Sequence, residues 1–366
     1  MSNQYKLKDF AQIISVSVKD AQLSPYDRFV GLEHYDSGEP VITRFTDTSL
    51  LTSSTKEFQK NDILIARRNV YLRRAGIVFF SGLTSGDSII LRIYDDCGTR
   101  TGIDKELAIR SIPFVLNSNH FWAYANKHAD GMNSKRISKD MILDYEFELP
   151  SLSEQRVLAD KLWAAYRLKE SYKKLLKATD EMVKSQFIEM FGKGSDFTEL
   201  DKIVEIKDDC RKPLNDAVRS AMKDGQLYPY YGANGVVDYI NDYLTDEQLL
   251  CIAEDCGNYK AGEDSSYIIQ GKAWVNNHAH IVKMKESCSI HYLHQYLKIV
   301  DLMPYVSGTT RLKLTQKKLK EVSVLLPPFD KQLKFVSIAE QADKSKFELN
   351  KSIEAIDAVI KSLINN

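Results

Sequence analysis

The residues best suited to chemistry in this chain are cations and tyrosines set beside turn formers. Between Ala66 and Gly76 the sequence reads ARRNVYLRRAG, which places Arg67, Arg68, Arg73 and Arg74 on either side of Tyr71. A guanidinium is a planar fork of donors that fits phosphate oxygens or the guanine edge, and an interleaved tyrosine can contact sugar or base. The competing reading is a solvated run paired to carboxylates. A second stretch, YPYYGANGVVDYIND from Tyr228 to Asp242, packs tyrosines around Asn-Gly turn signals. Such a loop would present Tyr230, Tyr231 and Asn234 outward, where an asparagine amide can pair with the edge of adenine. Otherwise it is a hairpin with half-buried tyrosines. Ser307 to Lys313 sets Thr309, Thr310, Arg311 and Lys313 on one loop, a phosphate-binding composition, and Gly131 to Arg136, with Lys135 and Arg136, stands in the matching place.

Catalytic sets are harder to find. Asn277-His278-Ala279-His280 offers alternate histidines but no evident third metal ligand, and a strand with one polar face explains it as well. Glu205-Ile206-Lys207 matches only the end of a nuclease motif, without a convincing upstream carboxylate. Leu326-Pro327-Pro328-Phe329 is similar to the Asn-Pro-Pro-Phe tetrad of amino-methyltransferases, but leucine cannot accept a hydrogen bond from a target amine. No G-x-x-x-x-G-K-[ST] loop is present, so the chain is not expected to hydrolyse ATP, and no serine or cysteine nucleophile stands in a recognisable setting.

The elements that must position the cations are written twice. Lys135 to Phe187 is echoed without a gap by Leu312 to Ile364, each residue 177 positions from its counterpart. Ile137 matches Leu314, Leu149-Pro150 matches Leu326-Pro327, Gln155 matches Gln332, and Lys184-Ser185 matches Lys361-Ser362. Each copy opens with an alternation, Met141 to Leu149 and Lys318 to Leu326, that suits an extended lead-in ended by Leu-Pro. Ser153 and Asp330 are then expected as helix caps, with Leu152 and Val157 as a staple. Roughly 35 to 40 residues without Pro or Gly follow, enough for helices of about 50 to 60 Å. Ala342, Leu349, Ile353, Ile356, Ile360 and Leu363, interrupted by Lys346, repeat as Ala165, Tyr172, Leu176, Thr179 and Val183, interrupted by Lys169. That stripe predicts two helices packed on each other, against the alternative of a helix lying across a globule.

Length and composition agree. The 366 residues, 43% hydrophobic and 27% charged, leave room for two or three domains with cores of their own. No apolar run approaches a membrane span and the start MSNQYKLKDF is not a signal peptide; a cytoplasmic chain is expected. Cys97, Cys210, Cys251, Cys256 and Cys288 lack C-x-x-C spacing and read as free thiols. A net charge of zero confines any nucleic-acid binding to local patches or to partner subunits. Around Phe29 to Leu32, Asp62 to Ala66 and Ser88 to Ile93 short strands are expected, and Val115 to His128 reads as a helix. Leu200-Asp201-Lys202-Ile203 is like Leu7-Lys8-Asp9-Phe10 in character.

Taken together, the alternation of variable segment, Leu-Pro-x-x-x-x-Gln helix, second variable segment and second such helix resembles the DNA-specificity subunit of type I restriction-modification systems over essentially the whole chain. Its carriers are Leu149-Pro150 with Gln155, Leu326-Pro327-Pro328 with Gln332, Tyr228 to Asp242, Asn276-Asn277-His278, and Phe29 to His34. Pro150-Ser151 departs from the usual Pro-Pro, and the chain is on the short side. The resemblance implies an α+β chain: target-recognition domains at 1–150 and 193–328, separated by antiparallel coiled-coil spacer helices at 151–192 and 329–366. It implies no catalysis by this chain. Each domain would read half of a bipartite asymmetric DNA site, with Asn277 joining the candidates above. Faces within 153–191 and 330–364 would hold two methyltransferase subunits carrying S-adenosylmethionine, alongside motor-nuclease subunits using ATP and Mg. A rod of about 50 Å is comparable to roughly fifteen base pairs. The alternative is a non-catalytic coiled-coil adaptor of another complex that reads no DNA.

Overall fold

The computed structural model describes residues 3–365 apart from 22, 52–53, 133, 193, 195 and 256, so Asn133 and Cys256 lie outside the described residues. The other four cysteines are free thiols. The chain divides into two compact units, residues 1–172 with 352–366 and residues 173–351. Both are α+β.

In the first unit a four-stranded antiparallel sheet runs in the order Ala11–Ile14, Ser88–Ile93, Ile63–Ala66, Ala75–Ile77. Its central strands are apolar on both faces, which is why Ile63–Ala66 and Ser88–Ile93 read as nearly continuous hydrophobic runs. Ile63, Ile65, Ile89 and Leu91 face a core built with Phe121, Trp122 and the long-helix residues Leu162 and Trp163. Leu64, Ala66 and Ile90 face the other way, onto Val30 and Phe58 of a five-stranded sheet and onto Tyr35 just after the turn Leu32–His34. In the second unit Val204–Ile206, Ala279–Met284, Leu249–Ala253 and Ser266–Ile269 form an antiparallel sheet of the same order. There Leu250, Ile252 and Val282 face the helical side, and Leu249, Cys251 and Ile281 the opposite one. In each unit a short strand, Asn3–Lys6 or Phe197–Glu199, pairs antiparallel with the lead-in to a long helix and is followed by a single helical turn, Leu7–Phe10 or Leu200–Ile203.

The long helices are Leu152–Phe191 and Phe329–Asn365. Their entry is fixed by the glutamine of the repeated motif. Gln155 Nε2 donates to the Pro150 carbonyl and Gln332 Nε2 to the Pro327 carbonyl, each at 2.8 Å, and both glutamines are buried. Some expectations shift by a turn. Helices begin at Leu152 and Phe329, so Ser153 and Asp330 sit inside the first turn rather than capping it. The cap of the first is Ser151, whose N–H donates to Glu154 Oε2 at 3.0 Å in a capping-box exchange. Leu152 and Val157 are exposed and form no buried staple. The first part of each lead-in is a short helix, Lys139–Leu143 or Gln316–Lys320, because Ser138 and Thr315 cap it and outweigh the alternating pattern. The stretch 115–128 splits likewise: one helix ends at Val115, and a second, Asn119–Lys127, starts where Ser118 Oγ accepts from the Phe121 N–H.

Within each unit the two long helices pack antiparallel along the expected stripe. In the first unit Lys169 reaches Asp357 and Glu39, each at 2.5 Å; in the second Lys346 reaches Asp180 at 3.0 Å and Asp343 at 2.8 Å. Lys169 matches Lys346, and Asp180 matches Asp357, under the same 177-residue repeat. Burial works against the charge on Lys346, but Asp343 and Asp180 outweigh it and hold its pKa above the ordinary value. Phe187 packs against Phe335 with ring centres 5.4 Å apart, in the core that also takes Phe191, Ala339 and Ala342.

Candidate nucleic-acid interface

The two loops picked out for their cations are one structure made twice. In the first unit Asp130 and Arg136 exchange backbone hydrogen bonds of 2.9 and 2.8 Å; in the second Ser307 and Lys313 do so at 2.9 and 2.8 Å. Gly131 and Gly308 hold φ of +114° and +91°, and a Cβ at either would strike the carbonyl oxygen of Ser134 or Arg311. Only glycine suits both demands. Each hairpin is then pinned to the end of a central strand: the Ile137 N–H donates to Arg67 O at 3.0 Å, and the Leu314 N–H to Glu254 O at 2.7 Å. The neighbouring strand begins from a turn fixed the same way in both units. Ser85 Oγ accepts from the Asp87 N–H, and Asn276 Oδ1 from the His278 N–H. Strand end and turn are joined by Arg67 N–H to Asp87 O at 3.0 Å, and by Glu254 N–H to His278 O at 2.8 Å. Arg67 and Arg68 therefore occupy the places of Glu254 and Asp255, and Asp87 that of His278.

In the first corner Asp87 lies 3.9 Å from Arg68 Nη1 and 3.6 Å from Arg136 Nη2, while Arg68 Nε donates to Ser134 Oγ at 2.8 Å. Lys135 is exposed beside them, and its carbonyl accepts from the Asn69 N–H. Tyr71 is exposed on the 3-10 turn Val70–Leu72, between Asn69 and Arg73, both left-handed. Arg73 bonds to Asn119 Oδ1 at 2.9 Å. Arg74 turns inward, donating to the carbonyls of Leu32 and Arg68 at 3.0 and 3.1 Å, and burial lowers its pKa. Arg67, Arg68, Lys135 and Arg136 thus come together, with Tyr71 outside them and Arg74 drawn into the protein.

The second corner is closed by ion pairs. Asp255 takes His278 Nδ1 at 2.7 Å and Arg311 Nη2 at 2.6 Å; Glu254 takes Lys313 at 2.9 Å and Arg211 at 2.5 Å. Beneath them the fully buried His280 puts Nδ1 2.7 Å from Asp208 Oδ2 and Nε2 2.8 Å from the Leu314 carbonyl, so both ring nitrogens have a partner. Burial works to raise Asp208, but the hydrogen bond and charge of His280, with the Ile281 N–H and Gln316, outweigh it and hold the carboxyl below its ordinary range. Glu254 is depressed likewise, with Lys313 and Arg211 outweighing its burial. Thr309 and Thr310 are exposed at the hairpin tip, and Asn277 is exposed on the turn, its carbonyl accepting from Arg211 at 3.4 Å.

The Tyr228–Ile240 hairpin forms as expected, with strands Tyr228–Gly232 and Gly235–Ile240, and it joins the corner where the Asn276 N–H donates to Tyr231 O at 3.0 Å. Asn234 is exposed at its turn, and Tyr231 is half buried and stacked on Tyr267. Tyr230 does not point outward. It is 1% exposed, packed with Ile240 and Trp274, and its hydroxyl accepts from the Leu214 N–H at 3.0 Å. In a strand whose neighbours are covered on one face, alternate tyrosines part company. Lys56, Lys139, Asp87, Arg211, Glu254 and Asp255 were not singled out from sequence; only the pairing of strands shows them converging. The alternate histidines each take an aspartate, and among the described residues no cluster of three or more His, Cys, Asp or Glu is placed to hold a metal.

Residues 193–357 match the family model described as type I restriction modification DNA specificity domain. A type I restriction enzyme specificity subunit of Haemophilus influenzae is 34% identical over 42% of this chain and 39% of its own length. The EcoprrI specificity subunit of Escherichia coli is 24% identical over 39% of this chain and 34% of its own length. The chain thus matches well under half the length of these relatives. Among solved structures, the S subunit of a type I restriction-modification system from M. genitalium aligns over 100% of this chain and 95% of its own, with a TM-score of 0.56 at 14% identity. A chain from a study of complex assembly and conformational transition in the type I system aligns over 99% and 96%, with a TM-score of 0.56 at 15% identity. At such identities the likeness is one of fold.

Proposed function

We infer, for a chain that belongs through residues 193–357 to the type I restriction modification DNA specificity domain family, that it reads a bipartite asymmetric DNA site on behalf of partner enzymes. Specificity subunits are the non-catalytic members of such systems. The globular segments 1–150 and 193–328 act as target-recognition domains, one for each half-site. The observation that carries this reading is the corner built twice on one backbone plan with different side chains: equal scaffolds bearing unequal readers suit two unlike half-sites. Arg67, Arg68, Lys135 and Arg136 serve one domain; Asn234, Asn277, Thr309, Thr310, Arg311 and Lys313 serve the other. Phosphate contacts fix position and base edges supply the sequence information.

The helices, with their outward faces within 153–191 and 330–364, serve as spacer and as docking surface for two methyltransferase subunits and for motor-nuclease subunits. S-adenosylmethionine, ATP and Mg belong to those partners. Methylome sequencing of the host with and without this chain tests the reading. One bipartite adenine-methylated motif is expected to vanish with the chain. An unchanged methylome, or loss of a single contiguous motif, overturns it.

A further inference from the structure

Around the turn Ser85–Ser88 the first unit gathers more cations than its carboxylate can neutralise. Lys56, on the strand Thr55–Phe58, donates from Nζ to the carbonyls of Gly86 and Ser88 at 2.8 and 2.9 Å, which fixes the ammonium against the turn and leaves it a third N–H. Arg67 is tied to the same turn through its backbone bond to Asp87 O, and its Nε is buried with no hydrogen-bond partner among the described residues. Arg68 and Arg136 approach from the strand end and the hairpin, both on Asp87. Lys139 opens the short helix Lys139–Leu143, two residues after Ile137 is bonded to Arg67 O.

Lys56, Arg68 and Arg136 are thus fixed at one turn by their side chains, Arg67 is tied to it through its backbone and Lys139 follows close behind, and Asp87 is the one carboxylate that ion pairs place there among the described residues. The crowding is electrostatic as well as geometric: Lys56 is held below its ordinary pKa, first by burial and then by the charges of Lys139 and Arg67. A fold that brings like charges together at a half-buried site loses stability unless an anion joins them. In the matching corner of the second unit the strand end carries two carboxylates and the charges pair off internally.

We propose that Lys56, Arg67 and Lys139 form a recessed anion site for a backbone phosphate of duplex DNA, which fixes the position of the first recognition domain without reading bases. The proposal rests on the DNA-reading function above. It separates two roles within the basic corner: Lys56, Arg67 and Lys139 hold phosphate, and the exposed Arg68 and Arg136 remain for the groove.

The test uses the full chain with its partner subunits on a duplex carrying the recognised site, and the chain alone with inorganic phosphate. Lys139→Gln, and the double variant Lys56→Met with Lys139→Gln, should each bind the duplex more weakly. The slope of log affinity against log salt should fall by about 0.9 for each cation removed, while the methylated motif stays the same. Inorganic phosphate should raise the melting temperature of the wild-type chain more than that of either variant. An unchanged salt slope, or a changed motif, overturns the phosphate assignment while leaving DNA reading intact. Phosphate protection lost in the variants, with a wild-type complex that ignores duplex DNA, would instead sink the DNA reading and keep the anion site. Since Lys56→Met removes two hydrogen bonds to the turn, the single Lys139→Gln variant carries the test if the double variant fails to fold.

Discussion

In the first unit the strand Ile63–Ala66 runs out into Arg67 and Arg68, and the facing turn supplies Asp87; in the second, Leu249–Ala253 runs out into Glu254 and Asp255, and the facing turn supplies His278. The hairpin contact reverses with them: Ser134 meets Arg68, and its repeat counterpart Arg311 meets Asp255. The backbone hydrogen bonds are the same in both corners, so the scaffold does not depend on the sign of the charges it displays. The second unit matches acid with base inside the corner, and the first does not. The second buries its network, with Asp208 10% exposed and Glu254 12%; the first leaves Asp87 28% exposed and outnumbered by cations.

This contrast is most readily broken by removing one acid from each side. Asp208→Ala strips His280 of a partner in a buried site and should lower unfolding stability by about 3 kcal/mol, whereas Asp87→Ala, which breaks longer and more exposed pairs of 3.6 and 3.9 Å, should cost less. Denaturant titration of both variants checks this, and equal losses would mean the corners are not the closed and open versions of one another. A smaller effect separates the arginines. Arg68, whose carboxylate is 3.9 Å away, should lose about 1 to 3 kcal/mol of site-specific affinity on change to Ala. Arg311, already held by Asp255 at 2.6 Å, should lose less. Competitive binding with matched and mismatched duplexes measures both.

The smallest difference lies in pH. Asp208 and Glu254 have folded pKa values below their ordinary ones, so their contribution is complete above the ordinary carboxylate range and disappears as pH falls through the depressed values. Lys56 has the opposite consequence: its folded pKa lies below 10.5, so the unfolded chain binds more protons there and stability rises as pH approaches that value from below. Acid should therefore weaken the second corner, and alkali approaching the ordinary lysine value should slightly strengthen the first. Hydrogen exchange resolved by segment would detect the pair of trends; the same response in both units would contradict it.

Much of the architecture was legible because the repeat is ungapped. Gln155 and Gln332, Lys169 and Lys346, and the stripe around them are singled out by a constant offset, and the structure gives each pair a matching contact. The site was legible only in part. Arg67, Arg68 and Arg136 declare themselves as clustered cations, but nothing local shows that Arg74 spends its donors on two carbonyls rather than on a ligand. Which of the two readings holds for Tyr230 is not legible, because a turn signal says where a hairpin bends and not which of its faces is covered. Lys56 looks like any strand lysine until Gly82–Thr84 pairs beside it. Glu254 and Asp255 carry no nucleic-acid signature at all, and only their equivalence to Arg67 and Arg68 gives them meaning.

The lysines of the helix stripe carry a last implication. Lys169 finds Asp357 in the first unit, and Lys346 finds Asp180 in the second. Were one helix to slide along the other by a turn, about 5.4 Å, each lysine would lose the aspartate on the facing helix, and Lys346 would be left with Asp343 on its own. Within each unit, then, a lysine and its aspartate mark a single register for the seam, and the repeat writes that mark once on each helix.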